Sequence, residues 1–413
     1  MGSHERTEHL LTWQHLSHYV TYGWCMSTVN SRQALPDRLR GAALLGIVVV
    51  NAAFLGISAD GFTTESIEGS ANRVTAFLVI VLAQGKFYLL FSFLFGYSAS
   101  FILRDNSQPN RRRYLRRLLV LFLFGLVHAV FFFFGDILIA YSILGLLLFA
   151  LSRLSDRALR RWAIAVFSTA VVLLVIIALL IAAFPEDSAS GSAGGLLDQA
   201  LATGTFTDAA LARLEALPSI LFGGFFLQAP MAFAAFILGL RASRAQLLSQ
   251  PSDHLSLWRS CARWGLAVGL PLQVVAGLLQ VNALASGDGV FSPAGAFGLA
   301  LGFCTAPILT AGYVGTVALL LARRPGFMSF TAPAGRMSLT VYIGESVLMS
   351  LLYCGYGLGF FGQWGAFAVV LSGIVTWALL SLIAWQWMKR FDQGPLEKIA
   401  ALGTRKSPPS TDT

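Results

Sequence analysis

The sequence contains few charged residues and only four cysteines. Charged side chains account for 12% of its 413 residues, compared with about 25% in soluble domains. Hydrophobic residues account for 56%, and the mean hydropathy is +0.69. This composition excludes a soluble enzyme, a secreted disulfide scaffold and a disordered chain. The four cysteines lack the spacing of metal ligands or of a redox pair, so we predict no metal site. They are Cys25, Cys261, Cys304 and Cys354.

Long apolar segments make up most of the chain. A hydrocarbon core about 30 Å thick requires about 20 apolar residues per helix. Ten segments fit this description, and they predict an all-α, polytopic integral membrane bundle of about ten transmembrane helices. They cover residues 40–58, 74–103, 115–134, 136–152, 162–184, 219–240, 264–283, 295–321, 337–354 and 364–388. The second segment is interrupted at Gln84-Gly85-Lys86, which predicts a tilt, a kink or a partly re-entrant turn.

Basic and acidic residues alternate from one loop to the next. Arginine or lysine lies before the first span and after every even-numbered span, whereas the other loops carry mainly aspartate and glutamate. The basic residues of this set are Arg38, Arg40, Arg104, Arg111, Arg112, Arg113, Arg116, Arg117, Arg153, Arg157, Arg160, Arg161, Arg241, Arg244, Arg259, Arg263, Arg323, Arg324, Lys389 and Arg390. Because basic loops stay on the cytoplasmic side, both termini are predicted to be cytoplasmic. The net charge of +9 is therefore a topology signal, and we expect no nucleic-acid partner.

The chain is predicted to contain one membrane domain with polar termini. Residues 1–35 predict a flexible extension, and its first 25 residues need not be native because Met26 begins a sequence typical of a bacterial start. Residues 36–400 form the membrane domain, and the tail at 401–413 is predicted to be disordered. The external loop at 185–218 predicts an amphipathic helix on the outer membrane surface, or a lid over an external site. The extension contains four histidines without metal-binding spacing: His4, His9, His15 and His18.

Ionisable side chains at membrane depth are costly and are therefore candidate functional groups. His128 is the only histidine in any predicted span, and Asp136 follows eight residues later. The two side chains meet if the chain reverses at Gly135. A carboxylate beside an imidazole fixes its tautomer and raises its basicity, as a general base requires. The alternative is a buried hydrogen bond that only ties two neighbouring helices together.

Four further polar residues lie within the predicted spans or at their ends. Lys86 lies too deep to reach water easily, which predicts an internal partner or an anionic ligand. Glu345, near the middle of the ninth span, is the candidate partner. Asn51 predicts a hydrogen bond between helices. Arg336 opens the ninth span and either binds a phosphate from the cytoplasmic side or anchors the helix at the interface.

Five segments carry a resemblance to a known family. They are RLRGAALLGIVVVNAAF (38–54), KFYLLFSFLFG (86–96), GDILIAY (135–141), AGRMSLTVYIGES (334–346) and GPLE (394–397). In order and spacing they resemble the YeiB-like family of bacterial inner-membrane proteins. The resemblance implies a multi-pass protein of the bacterial cytoplasmic membrane whose C-terminal part, about residues 230–400, is a domain of unknown function. Glu345 stands where that family usually carries glutamine.

In overall plan the family is similar to the transmembrane acyltransferases, through Arg40-Gly41 followed by Asn51 in the first span. That similarity implies acyl transfer from cytoplasmic acyl-CoA to an acceptor at the outer face. His128 would act as the general base, oriented by Asp136. The residues implied to contact the donor are Arg40, Lys86 and Arg336. A departure from that group is the lack of histidine between the first two spans.

Two other functions remain open. A transporter or permease for a small hydrophobic or anionic compound would use a relay of charged residues at membrane depth. That relay would comprise Lys86, Glu345, His128 and Asp136. A non-catalytic membrane scaffold has little need for such residues. We expect the lipid bilayer and a small-molecule substrate as partners, with a homodimer as a further option. No firmly bound cofactor is predicted, and acyl-CoA is the candidate donor substrate.

Overall fold

The computed structural model describes residues 34–103, 107–184, 194–289 and 292–402. Most of the predicted N-terminal extension, including its four histidines, lies outside these ranges. Most of the predicted C-terminal tail also lies outside them. Within the described ranges the protein is all-α and contains no β-strand. The helices are α1 (Ala34–Gly56), α2 (Ser70–Leu82), α3 (Lys86–Leu103), α4 (Gln108–Phe131), α5 (Leu138–Leu151), α6 (Asp156–Ala183), α7 (Gly194–Thr203), α8 (Phe206–Leu227), α9 (Ala229–Arg244), α10 (Leu255–Trp264), α11 (Leu270–Ala285), α12 (Pro293–Arg323), α13 (Ala332–Arg336), α14 (Ser338–Tyr353), α15 (Ala366–Trp387) and α16 (Pro395–Leu402).

Seven helical segments of the described chain are long and apolar enough to cross a membrane. They are Ala34–Gly56, Ser70–Leu103, Gln108–Phe131, Asp156–Ala183, Pro251–Ala285, Pro293–Arg323 and Ala366–Trp387. The pair formed by α8 and α9, bent by 63°, provides an eighth if it counts as one span. The structure therefore supports a polytopic membrane protein, although fewer than ten segments meet the length criterion.

Two of the ten predicted spans are short helices. The α5 and α14 helices contain 14 and 16 residues, which at about 1.5 Å per residue gives about 21 and 24 Å. Neither length spans a core of about 30 Å. Hydropathy detects their apolar composition but does not reveal where the backbone turns.

The predicted interruption of the second span is a break between α2 and α3. Gly85 has a positive φ of 84°, a conformation that glycine adopts without strain. The backbone N–H of Gln84 donates to Val79 rather than to Ile80. The Nζ of Lys86 instead donates to the Ile80 carbonyl at 2.8 Å and to the Gln84 carbonyl at 2.7 Å. Lys86 therefore closes the break by satisfying carbonyl groups that the helix leaves free.

The loop predicted to be external differs from the predicted single amphipathic helix. It contains two helices, α7 and α8, because Gly204 and Thr205 interrupt the periodic pattern and Thr205 with Asp208 forms a capping box at the start of α8. Leu197 and Leu201 of α7 are buried against the protein core rather than lying on a membrane surface. Residues 185–193 of this loop lie outside the described part of the chain.

The α7 helix is also attached to the end of α1. Asp198 accepts hydrogen bonds from the Ser58 hydroxyl and the Ala59 backbone N–H, each at 2.7 Å. Burial raises the pKa of the Asp198 carboxyl, while these two hydrogen bonds act in the opposite direction. This helix of the predicted external loop is thus a packed part of the fold.

Several arginine-bearing helix ends meet at one end of the helices, which we term the arginine-rich end. Arg40 at the start of α1 donates to Ser98 near the end of α3 at 2.5 Å. Arg244 at the end of α9 donates to the carbonyls of Ser152 and Leu154, which follow α5. This end contains many of the residues that the sequence placed in basic loops.

Candidate functional site

His128 and Asp136 form a fully buried pair at the end of α4. Nδ1 of His128 lies 2.7 Å from Oδ2 of Asp136, and the two side chains are 0% and 1% exposed. Oδ1 of Asp136 accepts from the backbone N–H of Ile139 at 2.8 Å, which fixes the carboxylate at the start of α5. Nε2 of His128 is buried and has no hydrogen-bond partner among the described residues. The imidazole is therefore oriented at one nitrogen and unoccupied at the other.

The local sequence provides the reversal that joins this pair. The α4 helix ends at Phe131, and the N–H groups of Phe132 and Phe133 both return to the His128 carbonyl. Gly125 lies one turn before His128 on α4. A Cβ atom at Gly125 would lie 2.7 Å from Oδ1 of Asp136, so the close approach requires glycine there. The short link and this glycine explain why residues eight positions apart meet.

Tyr342 and Glu345 bring α14 to the same place. The Tyr342 ring centre lies 5.0 Å from that of His128, and its hydroxyl accepts from the Ile137 N–H at 3.3 Å. Asp136 and Glu345 both lie close enough to Tyr342 for electrostatic interaction. Oε1 of Glu345 is buried without a hydrogen-bond partner in the described ranges. Polar groups from two distant parts of the sequence therefore meet in this cluster.

A cavity of about 290 Å³ extends from Tyr342 of this cluster to the arginine-rich end, and neither His128 nor Asp136 lines it. Its lining follows α4 from Arg113 through Arg117 to Leu121 and continues to Leu138 and Tyr342. The guanidinium of Arg117 lies 5.6 Å from the Phe95 ring centre. Arg40 and Arg113 lie close enough to Arg117 for their charges to interact. The cavity therefore has a basic end and, along α4, an end beside the His128 cluster.

The GPLE segment holds α14 in position. Glu397 accepts hydrogen bonds from the backbone N–H groups of Leu339 and Thr340, at 2.7 and 3.1 Å, and from the Thr340 hydroxyl at 2.6 Å. A carboxylate at a helix N-terminus satisfies free N–H groups and interacts favourably with the helix dipole. Glu397 also lines the cavity. This segment was prominent in the sequence, but its capping role required the structure.

Replacing Glu397 with glutamine should lower the free energy of unfolding by about 1–2 kcal/mol, because the charge at the start of α14 is lost. Thermal unfolding of the purified protein in detergent measures the effect. The exposed neighbour Lys398 provides a matched control through Lys398→Gln, which should leave the melting temperature unchanged. Equal effects of the two substitutions would contradict the capping role.

Arg213, which lies in the predicted external loop, is a buried residue with a positioning role. It is 1% exposed and donates to the Phe131 carbonyl at 3.0 Å, at the end of α4. Its other contacts are the Cys354 sulfur at 3.3 Å and the Tyr356 hydroxyl at 3.4 Å. Arg213 thereby fastens α8 to the helix that bears His128. Its position as a rare arginine in an acidic loop was the available signal.

Three predicted site residues lie away from the His128 cluster. Lys86 does not pair with Glu345: its Nζ lies 2.5 Å from Oε1 of Gln273 and also binds the two carbonyls at the break, so that predicted pair is wrong. The side chain of Asn51 is only partly buried and forms no hydrogen bond with any described residue, so its predicted link between helices is not observed there. Arg336 ends α13 and is not among the residues that line the cavity.

The chain is similar to a family of unknown function and to uncharacterized bacterial proteins. The family described as "Protein of unknown function (DUF418)" matches residues 242–406. The chain is 28% identical over 398 residues to "Uncharacterized protein YxaH" of Bacillus subtilis (strain 168), covering 89% of this chain and 93% of that protein. It is 32% identical over 126 residues to "Uncharacterized protein YeiB" of Escherichia coli (strain K12), covering 30% of this chain and 31% of that protein.

These matches support a YeiB-like family for this chain. No solved structure matches it. In this YeiB-like protein the matched C-terminal segment supplies Tyr342, Glu345 and Glu397, whereas His128 and Asp136 precede that segment. The candidate site is therefore assembled from both parts of the chain. Among the described residues, no group of three or more potential ligands is arranged to hold a metal ion.

Proposed function

We propose that this YeiB-like protein is an acyltransferase of the bacterial cytoplasmic membrane. It would transfer an acyl group from cytoplasmic acyl-CoA to a hydroxyl or amine acceptor at the outer face. The observation that carries this proposal is the buried His128–Asp136 pair, which packs against Tyr342, a residue that lines a cavity with Arg113 and Arg117 at its other end. A general base near one end of a cavity and phosphate-binding groups at the other end suit a donor with a charged head and a reactive thioester.

The proposed topology follows from the distribution of basic residues. The arginine-rich end would face the cytoplasm, together with both termini, and the His128 cluster would lie toward the outer face. The seven or eight long segments would cross the bilayer, while α5 and α14 would enter it only in part. The donor phosphates would then meet Arg113, Arg117 and Arg40, and the acceptor would approach from the opposite side.

The proposed chemistry uses His128 as a general base. Nε2 removes the proton from the acceptor O–H or N–H as that atom attacks the thioester carbonyl carbon. The new C–O or C–N bond forms, the C–S bond breaks, and the departing CoA thiolate takes the proton from the imidazolium. Asp136 holds the proton of the neutral ring on Nδ1 and stabilises the imidazolium. The Tyr342 hydroxyl, which accepts from Ile137, has its own proton to donate to the developing oxyanion.

Arg117 provides the test of donor binding. Replacing it with glutamine should weaken acyl-CoA binding about 10- to 100-fold, because a charge-assisted contact to phosphate is lost. Calorimetry with the purified protein in detergent measures the dissociation constant. Arg324→Gln removes an exposed arginine that does not line the cavity and should bind normally. Undetectable binding of acetyl-, malonyl- and longer acyl-CoAs by the unmodified protein would refute the proposal.

A transporter for a small hydrophobic or anionic compound is the second candidate. One observation favours it: the broken span contains a buried lysine at the unwound segment between α2 and α3. Broken helices with buried charges are typical of transporter binding sites. The three acceptors around Nζ of Lys86 favour a structural role instead, and the Lys86 substitution described below distinguishes the two.

A further inference from the structure

A second, larger cavity lies on the other side of α3. It has a volume of about 550 Å³ and is bordered by α3, α6, α9, α10 and α12. Ligand pockets typically measure about 300–1,000 Å³. Its lining is almost entirely apolar, with Phe167 and Met231 among the large side chains. Neither residue of the His128–Asp136 pair is part of it.

The mouth of this groove opens onto apolar surface. Ile164, Leu238 and Leu257 line it and are 58%, 45% and 40% exposed. The neighbouring α6 helix is among the least buried of the candidate spans, with 17% of its most apolar stretch buried. Exposed aliphatic side chains around an opening at membrane depth admit a hydrocarbon chain from the lipid phase and do not favour a polar solute.

Two arginines lie at one end of the groove. Arg160 is in the second turn of α6 and Arg241 is in the last turn of α9. Met231 lies ten residues from Arg241, which at about 1.5 Å per residue places it about 15 Å along the groove. The charged end of the groove lies at the arginine-rich end of the protein, and the rest of the groove is apolar. This polarity matches a lipid with an anionic head.

Neither arginine is neutralised by the protein. In the part of the chain that the structure describes, the side chains of Arg160 and Arg241 form no hydrogen bond or ion pair, and Nε of Arg241 is buried without a partner. Arg244, three residues further on, pairs with Asp156 at 2.8 Å. A guanidinium beside an apolar cavity is costly unless it meets an anion. A phosphate diester supplies the acceptor oxygens that a guanidinium binds best.

We propose that the groove between α3, α6, α9, α10 and α12 binds one anionic phospholipid. One acyl chain fills the apolar groove, and the phosphate contacts Arg160 and Arg241. The opening to the lipid phase selects a membrane lipid over a soluble anion. The site is separate from the His128 cluster, so the proposal does not depend on acyl transfer.

The test measures binding of dioleoylphosphatidylglycerol to the purified full-length protein in detergent by native mass spectrometry. The unmodified protein should retain one lipid, and Arg160→Gln with Arg241→Gln should weaken its binding about 10- to 30-fold. The matched control removes the same charge at the same end through Arg157→Gln with Arg161→Gln, two exposed arginines outside the groove. The control pair should bind normally.

A second variant tests the groove without changing charge. Ala311 is exposed and lines the groove, so Ala311→Phe fills it from a position outside the packed core. This variant should lose the retained lipid, and it decides the question if the arginine variant does not fold. Equal losses in the two arginine pairs would overturn the proposal, because they would indicate diffuse surface attraction. Three further results would also overturn it. They are undiminished lipid binding by Ala311→Phe, equal retention of phosphatidylcholine, and competition by inorganic phosphate alone.

Discussion

Replacing His128 with glutamine is expected to reduce acyl transfer by about 10²- to 10⁴-fold, the usual contribution of a general base. Glutamine fills a similar space and retains a donor for Oδ2 of Asp136, so the buried contact and the fold should persist. It cannot accept and return a proton at the position of Nε2. Release of the free CoA thiol in the presence of acyl-CoA and membrane acceptors measures the rate, and calorimetry should show unchanged donor binding.

Asp136→Asn sharpens this test. An asparagine amide N–H facing Nδ1 donates a hydrogen bond to it, which favours the tautomer that carries the ring proton on Nε2 and so removes the lone pair that a base requires. Asp136→Asn should therefore lower the rate about as much as His128→Gln does, although aspartate and asparagine differ by only one group. His254, on the short helix Pro251–His254, supplies the control through His254→Gln, which should retain full rate. If His128→Gln keeps most of the activity but lowers the melting temperature, the pair only ties α4 to α5.

The part of this site that could be predicted is local in sequence. His128 and Asp136 are eight residues apart, and Gly135 marks the reversal, so spacing and one glycine were sufficient to propose their contact. The break before Lys86 was equally visible because Gln-Gly-Lys interrupts an apolar run. Both predictions depend on features within a few helical turns.

The remainder depends on packing between distant segments. The Ile137–Tyr342 contact joins residues 205 positions apart, and no local pattern relates them. Lys86 was assigned to Glu345 because both are charged at depth, yet the nearest acceptors are an amide and two carbonyls. The sequence did not reveal the burial of Arg213, because the composition of its loop suggests an exposed side chain. Charge and hydropathy predict that a buried ion needs partners, but they do not identify them.

Replacing Lys86 with methionine is expected to lower the free energy of unfolding by about 3–5 kcal/mol. Methionine preserves the length of the side chain but leaves three buried acceptors without their donor: the carbonyls of Ile80 and Gln84 and Oε1 of Gln273. Gln273 is itself fixed through Nε2, which donates to the Gly302 carbonyl at 2.7 Å and the Thr305 hydroxyl at 2.8 Å. The loss therefore affects the joint between α2, α3, α11 and α12. Equilibrium unfolding in detergent measures it.

Coupling between Lys86 and Gln273 separates a structural role from a transport role. Gln273→Leu should also destabilise the protein, and the double variant should lose less than the sum because both changes remove the same bond. Lys398→Met, at an exposed lysine, should have no effect. If Lys86 instead carried protons or substrate, Lys86→Met would leave the unfolding free energy unchanged and abolish flux into liposomes. Because Nζ already binds the acceptors that the break exposes, we expect loss of stability, and that outcome would remove the main support for the transporter.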